Sequence, residues 1–243
     1  MKTTAQILAA LDLEADLERS LPETLCLQCA ATLDLCGAGM ALMNDAGHQG
    51  VVGASGPLAA RLEDLQFELG EGPALDASRA NAPVLDPDLS AGETARWPGF
   101  GPAAEAAGVR AVFALPLQVG AVRLGSLCLY RPAPGHLDRD ETASAFAYAD
   151  AAVVVLLHLQ AQMLPSLALH PDLREPLEYR AEVHQATGFL AVQASIGLTE
   201  ALLLLRAHAF ASDRPLLQVA RDVLAGRLHL FPRDDVRRDD VDD

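Results

Sequence analysis

Apolar residues recur every three or four positions near both ends of the chain, and run in alternation or almost unbroken through its middle. That pattern predicts helices bracketing a sheet. Ile7, Leu8, Leu11 and Ala15 form a helical stripe over 4–18. Ser20-Leu21-Pro22-Glu23 then supplies a cap, a proline in the first turn and an acidic partner three residues on. The helix it opens carries Leu25, Cys26, Cys29, Leu33 and Cys36 on one side and is expected to stop at Gly37. Beyond it, 39–43 and 50–54 read as a strand pair around a turn at 44–47. A short helix over 61–69 is closed by Gly70, a Pro- and Asp-rich loop runs over 81–102, and a helix over 103–107 ends at Gly108. Two firm strands follow, 111–119 and 124–131, with Gly120-Ala121 at their turn. Asp138 as cap and Glu141 at the third helical position open a long helix reaching about Leu164.

Pro165, Pro171 and Pro176 fall within a dozen residues, a density that interrupts a helix, so a hinge is expected over 165–177. Three more helical stripes come next: Val183, Ala186 and Leu190; Ala201, Leu202, Leu205, His208 and Ala209; and Leu216, Val219, Ala220, Val223 and Leu224. Three such stripes must face one another, giving a small bundle over 178–230. A bundle of that size is weak alone, which favours a homodimer or docking on the preceding long helix. The last residues, 231–243, have almost nothing to bury and are expected to be disordered. Helices around a sheet of hairpins make an α+β domain over 1–164.

The chain has 243 residues and a net charge of −15. Residues 1–160 carry 9 basic and 20 acidic groups, and 161–243 carry 9 and 13. The first part therefore repels nucleic acid and anionic membrane, and any nucleic-acid contact must lie in the second. The longest apolar run near the middle, 151–157, is bracketed by Asp150 and His158 and is too short to cross a bilayer. The first residues lack the layout of a secretion signal, so a cytoplasmic location is expected. Cys26-x-x-Cys29 has no second Cys or His pair at metal-ligand spacing and reads as buried small hydrophobes. No nucleophile–base arrangement, phosphate loop or acidic metal cluster stands out, so no enzyme is predicted.

Two stretches resemble known families. In the tail, Gln185-Ala186-Thr187-Gly188-Phe189-Leu190, then Glu200-Ala201-Leu202 with Leu205-Arg206, then Arg214-Pro215-Leu216 with Val219-Ala220, resemble the ANTAR domain in order and spacing. Earlier, Leu62 to Ala77, with its Gly70-Glu71-Gly72-Pro73 turn, resembles a phrase of GAF domains in actinobacterial regulators. Leu115-Pro116-Leu117 and Leu124-Gly125-Ser126-Leu127 match the two central GAF strands. The resemblance implies a GAF sensor that could take a small-molecule ligand, with 81–102 and its sole tryptophan, Trp97, as a lid. The sequence fixes neither that ligand nor a cofactor, and Trp97 reads first as a plug on the sheet face.

The ANTAR resemblance implies an RNA-binding output that grips a pair of stem-loops to prevent transcription termination, with Arg206 and the position of Thr187 as its contacts; Arg180, Arg214 and Arg221, charges left outside the core, complete the expected set. Thr187 stands where the family carries a lysine, Leu202 where an aromatic is common and Ala207 where a second base is common. Thr can donate to one phosphate but brings no charge and releases no counterion. Residues 178–230 are neutral, five Arg against five Asp and Glu. Phe189 is expected in the core, and Tyr179 to be the exposed ring. A second reading keeps the fold and drops the RNA: a bundle serving dimerisation or protein contact, which recovery of binding in Thr187→Lys would establish. The RNA reading requires guanidinium groups that point outward together; arginines tied to neighbouring carboxylates would remove it.

Overall fold

The computed structural model describes residues 2–11, 20–44, 47–90, 96–163 and 171–230, with backbone alone at 44, 47, 48, 162, 163 and 171–180. In chain order the elements are α1 (Thr4–Leu11), α2 (Leu21–Thr32), β1 (Gly37–Asn44), β2 (Gly47–Ala54), α3 (Pro57–Leu69), α4 (Pro73–Ala80) and β3 (Val84–Asp86). There follow α5 (Phe100–Ala106), β4 (Ala111–Val119), β5 (Val122–Arg131), α6 (Arg139–Met163), α7 (Pro171–Ala194), α8 (Leu198–Ala211) and α9 (Leu216–Leu224). The chain divides into two compact units, 1–180 and 181–243.

In the first unit the five strands pair antiparallel in the order β2-β1-β5-β4-β3. Successive side chains of a strand point to opposite faces, and here both faces are covered. Met40, Phe113, Leu115, Leu117, Leu127 and Leu129 pack under α1, α2 and α6. Ala41, Met43, Val112, Ala114, Cys128 and Tyr130 pack under α3, α4 and α5. Double burial explains why β4 and β5 read as nearly continuous apolar runs. Gly125 is required by a close approach, since a Cβ there would sit 2.3 Å from the Ala41 carbonyl oxygen. Gly120 takes φ 58 at the first position of the β4–β5 turn, a conformation that glycine adopts without strain.

The expected caps form. Ser20 accepts from the Glu23 amide at 3.2 Å. At α6 the box is reciprocal: Glu141 N–H donates to Asp138 Oδ1 and Asp138 N–H to Glu141 Oε2, each at 2.8 Å. Several bounds move. The second helix stops at Thr32, and Asp34 rather than Gly37 takes the left-handed φ of 51. The loop expected over 81–102 holds the edge strand β3 and the start of α5, while 91–95 lie outside the described residues. After Gly70-Glu71-Gly72 comes a helix, α4, with Pro73 in its first turn and Asn81 as its left-handed cap. The residues expected to form the hinge at 165–177 are described only from 171 on, and there α7 runs through Pro171 and Pro176.

Among the described residues one helical stretch, Arg139–Ala161, is long and apolar enough to cross a membrane, and half of it is buried within the unit. The expected disordered tail, 231–243, lies outside the described residues.

Candidate functional site

In the second unit the predicted stripes become one core. Val183, Ala186 and Leu190 of α7, Ala201, Leu205 and Ala209 of α8, and Leu216, Val219, Ala220 and Val223 of α9 are all buried. Leu224, expected to join them, is 38 % exposed. Left-handed residues break the chain between helices: Ser195 at φ 56 after α7 and Asp213 at φ 50 after α8. Ser212 Oγ also donates to the His208 carbonyl at 2.6 Å, closing the last turn of α8.

Thr187 is 3 % exposed, and its hydroxyl donates back to the Val183 carbonyl at 2.7 Å. It sits on the buried stripe with its hydroxyl engaged by its own helix, not on the outside where an RNA contact was expected. Three of the arginines are paired with carboxylates of their own bundle. Arg221 of α9 is bidentate on Glu182 of α7, at 2.6 and 3.2 Å. Asp222 is clasped by Arg214, just before α9, and by Arg227, just after it, the latter at 2.6 Å. Hydrogen bonds from Arg221 hold the Glu182 carboxyl below the usual carboxylate range, and those from Arg214 and Arg227 do the same for Asp222. Arg206 is half-buried on α8, and the side chains of Arg180 and Tyr179 lie outside the described residues.

Phe189, expected in the core, is 49 % exposed, and Phe210 is 71 % exposed. On α8, Leu203, Ala207 and Phe210 form an outward stripe opposite the buried Ala201, Leu205 and Ala209. Phe189 and Val192, three residues apart, give α7 a similar outer edge. The outside of this small bundle thus carries exposed apolar side chains among balanced charges: Arg206, Arg214, Arg221 and Arg227 against Glu182, Glu200, Asp213 and Asp222 over 181–230. The periodicity of α8 carried the signal for this second face, since Leu203 and Phe210 fall outside its core stripe.

Residues 172–224 match the ANTAR domain family. None of the curated proteins matches this chain. Among solved structures, the chain is similar to the GAF domain of an Acinetobacter phosphoenolpyruvate-protein phosphotransferase, at 12 % identity and TM-score 0.47 over 67 % of this chain and 98 % of that one. It is similar to the GAF domain of a Coxiella burnetii phosphoenolpyruvate-protein phosphotransferase at 13 % identity and TM-score 0.48, over 67 % and 97 %. A free methionine-R-sulfoxide reductase from Neisseria meningitidis, solved with its substrate, is similar at 14 % identity and TM-score 0.48, over 66 % and 89 %. The chain thus carries an α+β unit followed by a segment that matches the ANTAR domain family.

In the first unit, the sheet face under α3 to α5 is filled by its own side chains. Trp97 is 4 % exposed there, plugging the face as expected, with its ring edge-on to Phe100 at 6.0 Å. Beneath the same elements lies a buried polar cluster. Tyr130 Oη donates to Glu63 Oε1 at 2.7 Å, and Gln66 Nε2 donates to Tyr130 Oη at 3.1 Å. Gln66 Oε1 accepts the Ala74 amide at 2.8 Å, tying the start of α4 to α3. Burial pushes the thiols of Cys26, Cys29 and Cys128 well above their usual range, so none is a thiolate at neutral pH. Among the described residues no group of three His, Cys, Asp or Glu side chains could hold a metal ion.

Proposed function

We propose that this chain is a cytoplasmic signal-responsive regulator whose ANTAR segment delivers its output by docking its apolar outer face on protein, first of all a second copy of the chain, and not by gripping RNA phosphates. The engagement of Arg214, Arg221 and Arg227 by carboxylates of their own bundle carries this reading. Surface ion pairs are worth only about 0–1 kcal/mol each, so they do not lock the arginines in place. A phosphate that approaches any of them nonetheless meets Glu182 or Asp222 beside it, and that carboxylate repels the polyanion. The gain from counterion release, which drives phosphate binding, shrinks accordingly. A neutral surface bearing Phe189, Val192, Leu203 and Phe210 suits an apolar partner instead.

RNA binding that antagonises termination is the second reading, favoured by the exposure of Phe189 and Phe210. Exposed rings can stack unpaired loop bases, with Arg206 four residues before Phe210 on the same helix. A filter-binding titration of the full chain against two-hexaloop RNA separates the readings. Protein docking predicts no salt-dependent binding and a dimer population that falls in Phe210→Asp. RNA affinity that drops steeply with salt, and drops further in Arg206→Ala, would overturn it.

A further inference from the structure

β5 ends in two residues that reach opposite faces of the sheet, as neighbours on a strand must. Tyr130 turns to the face under α3 to α5 and is fully buried. Its hydroxyl donates to Glu63 at 2.7 Å and accepts from Gln66 at 3.1 Å, both on α3. Gln66 Oε1 in turn accepts the Ala74 amide at 2.8 Å, so the same cluster reaches the first turn of α4. Arg131 turns to the other face. Its guanidinium lies 5.7 Å from the Phe113 ring centroid, and donates to the His136 carbonyl at 3.3 Å and to Glu141 Oε1 at 2.7 Å.

Glu141 is divided between two tasks. One carboxylate oxygen accepts from Arg131, while the other accepts the Asp138 amide and so completes the α6 capping box. The side chains of Arg131 and Glu141 are 14 and 31 % exposed, a setting in which a charge-assisted hydrogen bond is held short. The strand end moves as one piece. The Tyr130 carbonyl accepts the Cys36 amide at 3.0 Å, and the Arg131 carbonyl accepts the Arg110 amide at 2.8 Å. Earlier on β5, Leu127 and Leu129 meet the layer of α6 through apolar packing. Such contacts are non-directional and tolerate a small slide. A hydrogen bond weakens steeply once its angle is bent.

We propose that the Tyr130–Arg131 end of β5 is a coupling device, which links the seating of α3 and α4 on one face of the sheet to the cap of α6 on the other. Tyr130 and Arg131 are its positioning residues. A shift of α3 that draws on the Tyr130 hydroxyl turns the strand end and pulls the guanidinium from Glu141. The first turn of α6, the helix that precedes α7 in the chain, then loosens. This coupling lies within the first unit and is independent of whether the second docks on protein or on RNA.

Amide-resolved hydrogen exchange of the full chain tests the coupling. Tyr130→Phe removes the hydroxyl and keeps the ring, across the sheet from α6. The Glu141 and Thr142 amides, which donate to Asp138, should lose protection at least about threefold more than the Val155 and Leu156 amides further along α6. In an Arg131→Gln background, adding Tyr130→Phe should leave the two cap amides unchanged. Coupling between two sites is reciprocal, so Glu141→Ala should lower protection of the Ala74 amide by a like factor relative to the strand amides. The proposal is overturned if Tyr130→Phe leaves the cap amides unmoved or lowers all α6 amides equally. It is overturned as well if that change acts on the cap as strongly once Arg131 is replaced. An Ala74 amide that ignores Glu141→Ala sinks it too, a result that does not require Tyr130→Phe to fold.

Discussion

Replacing Thr187 with lysine, the residue the ANTAR resemblance expects there, should damage the bundle and not restore an RNA contact. Thr187 is buried on the same stripe as Val183, Ala186 and Leu190. Adding a longer chain at a packed position costs about 1–3 kcal/mol, and a buried ammonium more. The half-buried neighbours Gly188 and Ala191 leave the lysine a route to snorkel outward, which removes part of the charge penalty. The sum is roughly 2–4 kcal/mol. The described bundle, 181–230, would at about 0.05–0.15 kcal/mol per residue hold only some 2.5–7.5 kcal/mol in all. Thr187→Val is the control, because the lost hydroxyl only bonded back to a helix carbonyl, a change of about 1 kcal/mol or less. Hydrogen exchange on peptides from 181–224 reads the opening of the bundle separately from the sheet unit. Protection should fall about 30- to 1000-fold in Thr187→Lys and less than about tenfold in Thr187→Val, at tenfold per 1.4 kcal/mol. Unchanged protection in Thr187→Lys would show that the position faces solvent and would refute its place in the core.

Burial, reinforced by Glu68, pushes the Asp64 carboxyl from 3.8 up to about 6. A folded-state value above the unfolded one means that this group favours folding most below about pH 4, and that the advantage is lost as pH rises through 6. Urea unfolding from pH 4 to 7 should therefore slope downward, and Asp64→Asn should flatten that slope and stabilise the chain at pH 7 by at most about 3 kcal/mol. Gly125→Ala forces a Cβ to 2.3 Å from the backbone oxygen of Ala41, which cannot yield without parting β1 from β5. Circular dichroism melting should show a loss of more than about 3 kcal/mol or no folded sheet unit. Arg221→Ala breaks only an exposed pair with Glu182, so bundle exchange should change by less than about 1 kcal/mol. A larger effect would mean that the pair fixes α9 on α7.

Periodicity found what periodicity can report. The core stripes of α7 to α9, the strands β4 and β5, and the capping box at Asp138 and Glu141 all follow from local spacing and local chemistry. The three-residue strand β3 did not, because it lies between Pro83 and Pro87, is too short to show alternation, and exists only by pairing with β4. The helix α4 is legible in the sequence: Pro73 in the first turn, Asp76 in the same turn and Asn81 past the end are ordinary start and stop signals. Phe189 misled because proximity to a stripe is not membership of it. Its helical angle falls between the buried face and Val192, and only the packed bundle decides which side wins. The ion pairs could not be read at all, since Arg221 and Glu182 lie 39 residues apart and meet only after three helices fold.

Salt gives the two outputs opposite signs, which makes it the sharpest remaining test. Each chain carries −15, and two copies that meet through apolar faces must overcome their mutual repulsion. Screening shortens from a Debye length of about 30 Å at 0.01 M to about 3 Å at 1 M, so added salt should relieve the repulsion and tighten the dimer. An RNA complex should weaken over the same range, because its affinity comes from counterions that salt returns. Sedimentation velocity at fixed protein concentration across that range should show the dimer fraction rising, and rising less in Phe210→Asp, where the apolar stripe is broken and a further negative charge added. A dimer that dissociates as salt increases would mean that ion pairs hold the copies together, and the exposed apolar stripe of α8 would then need another partner.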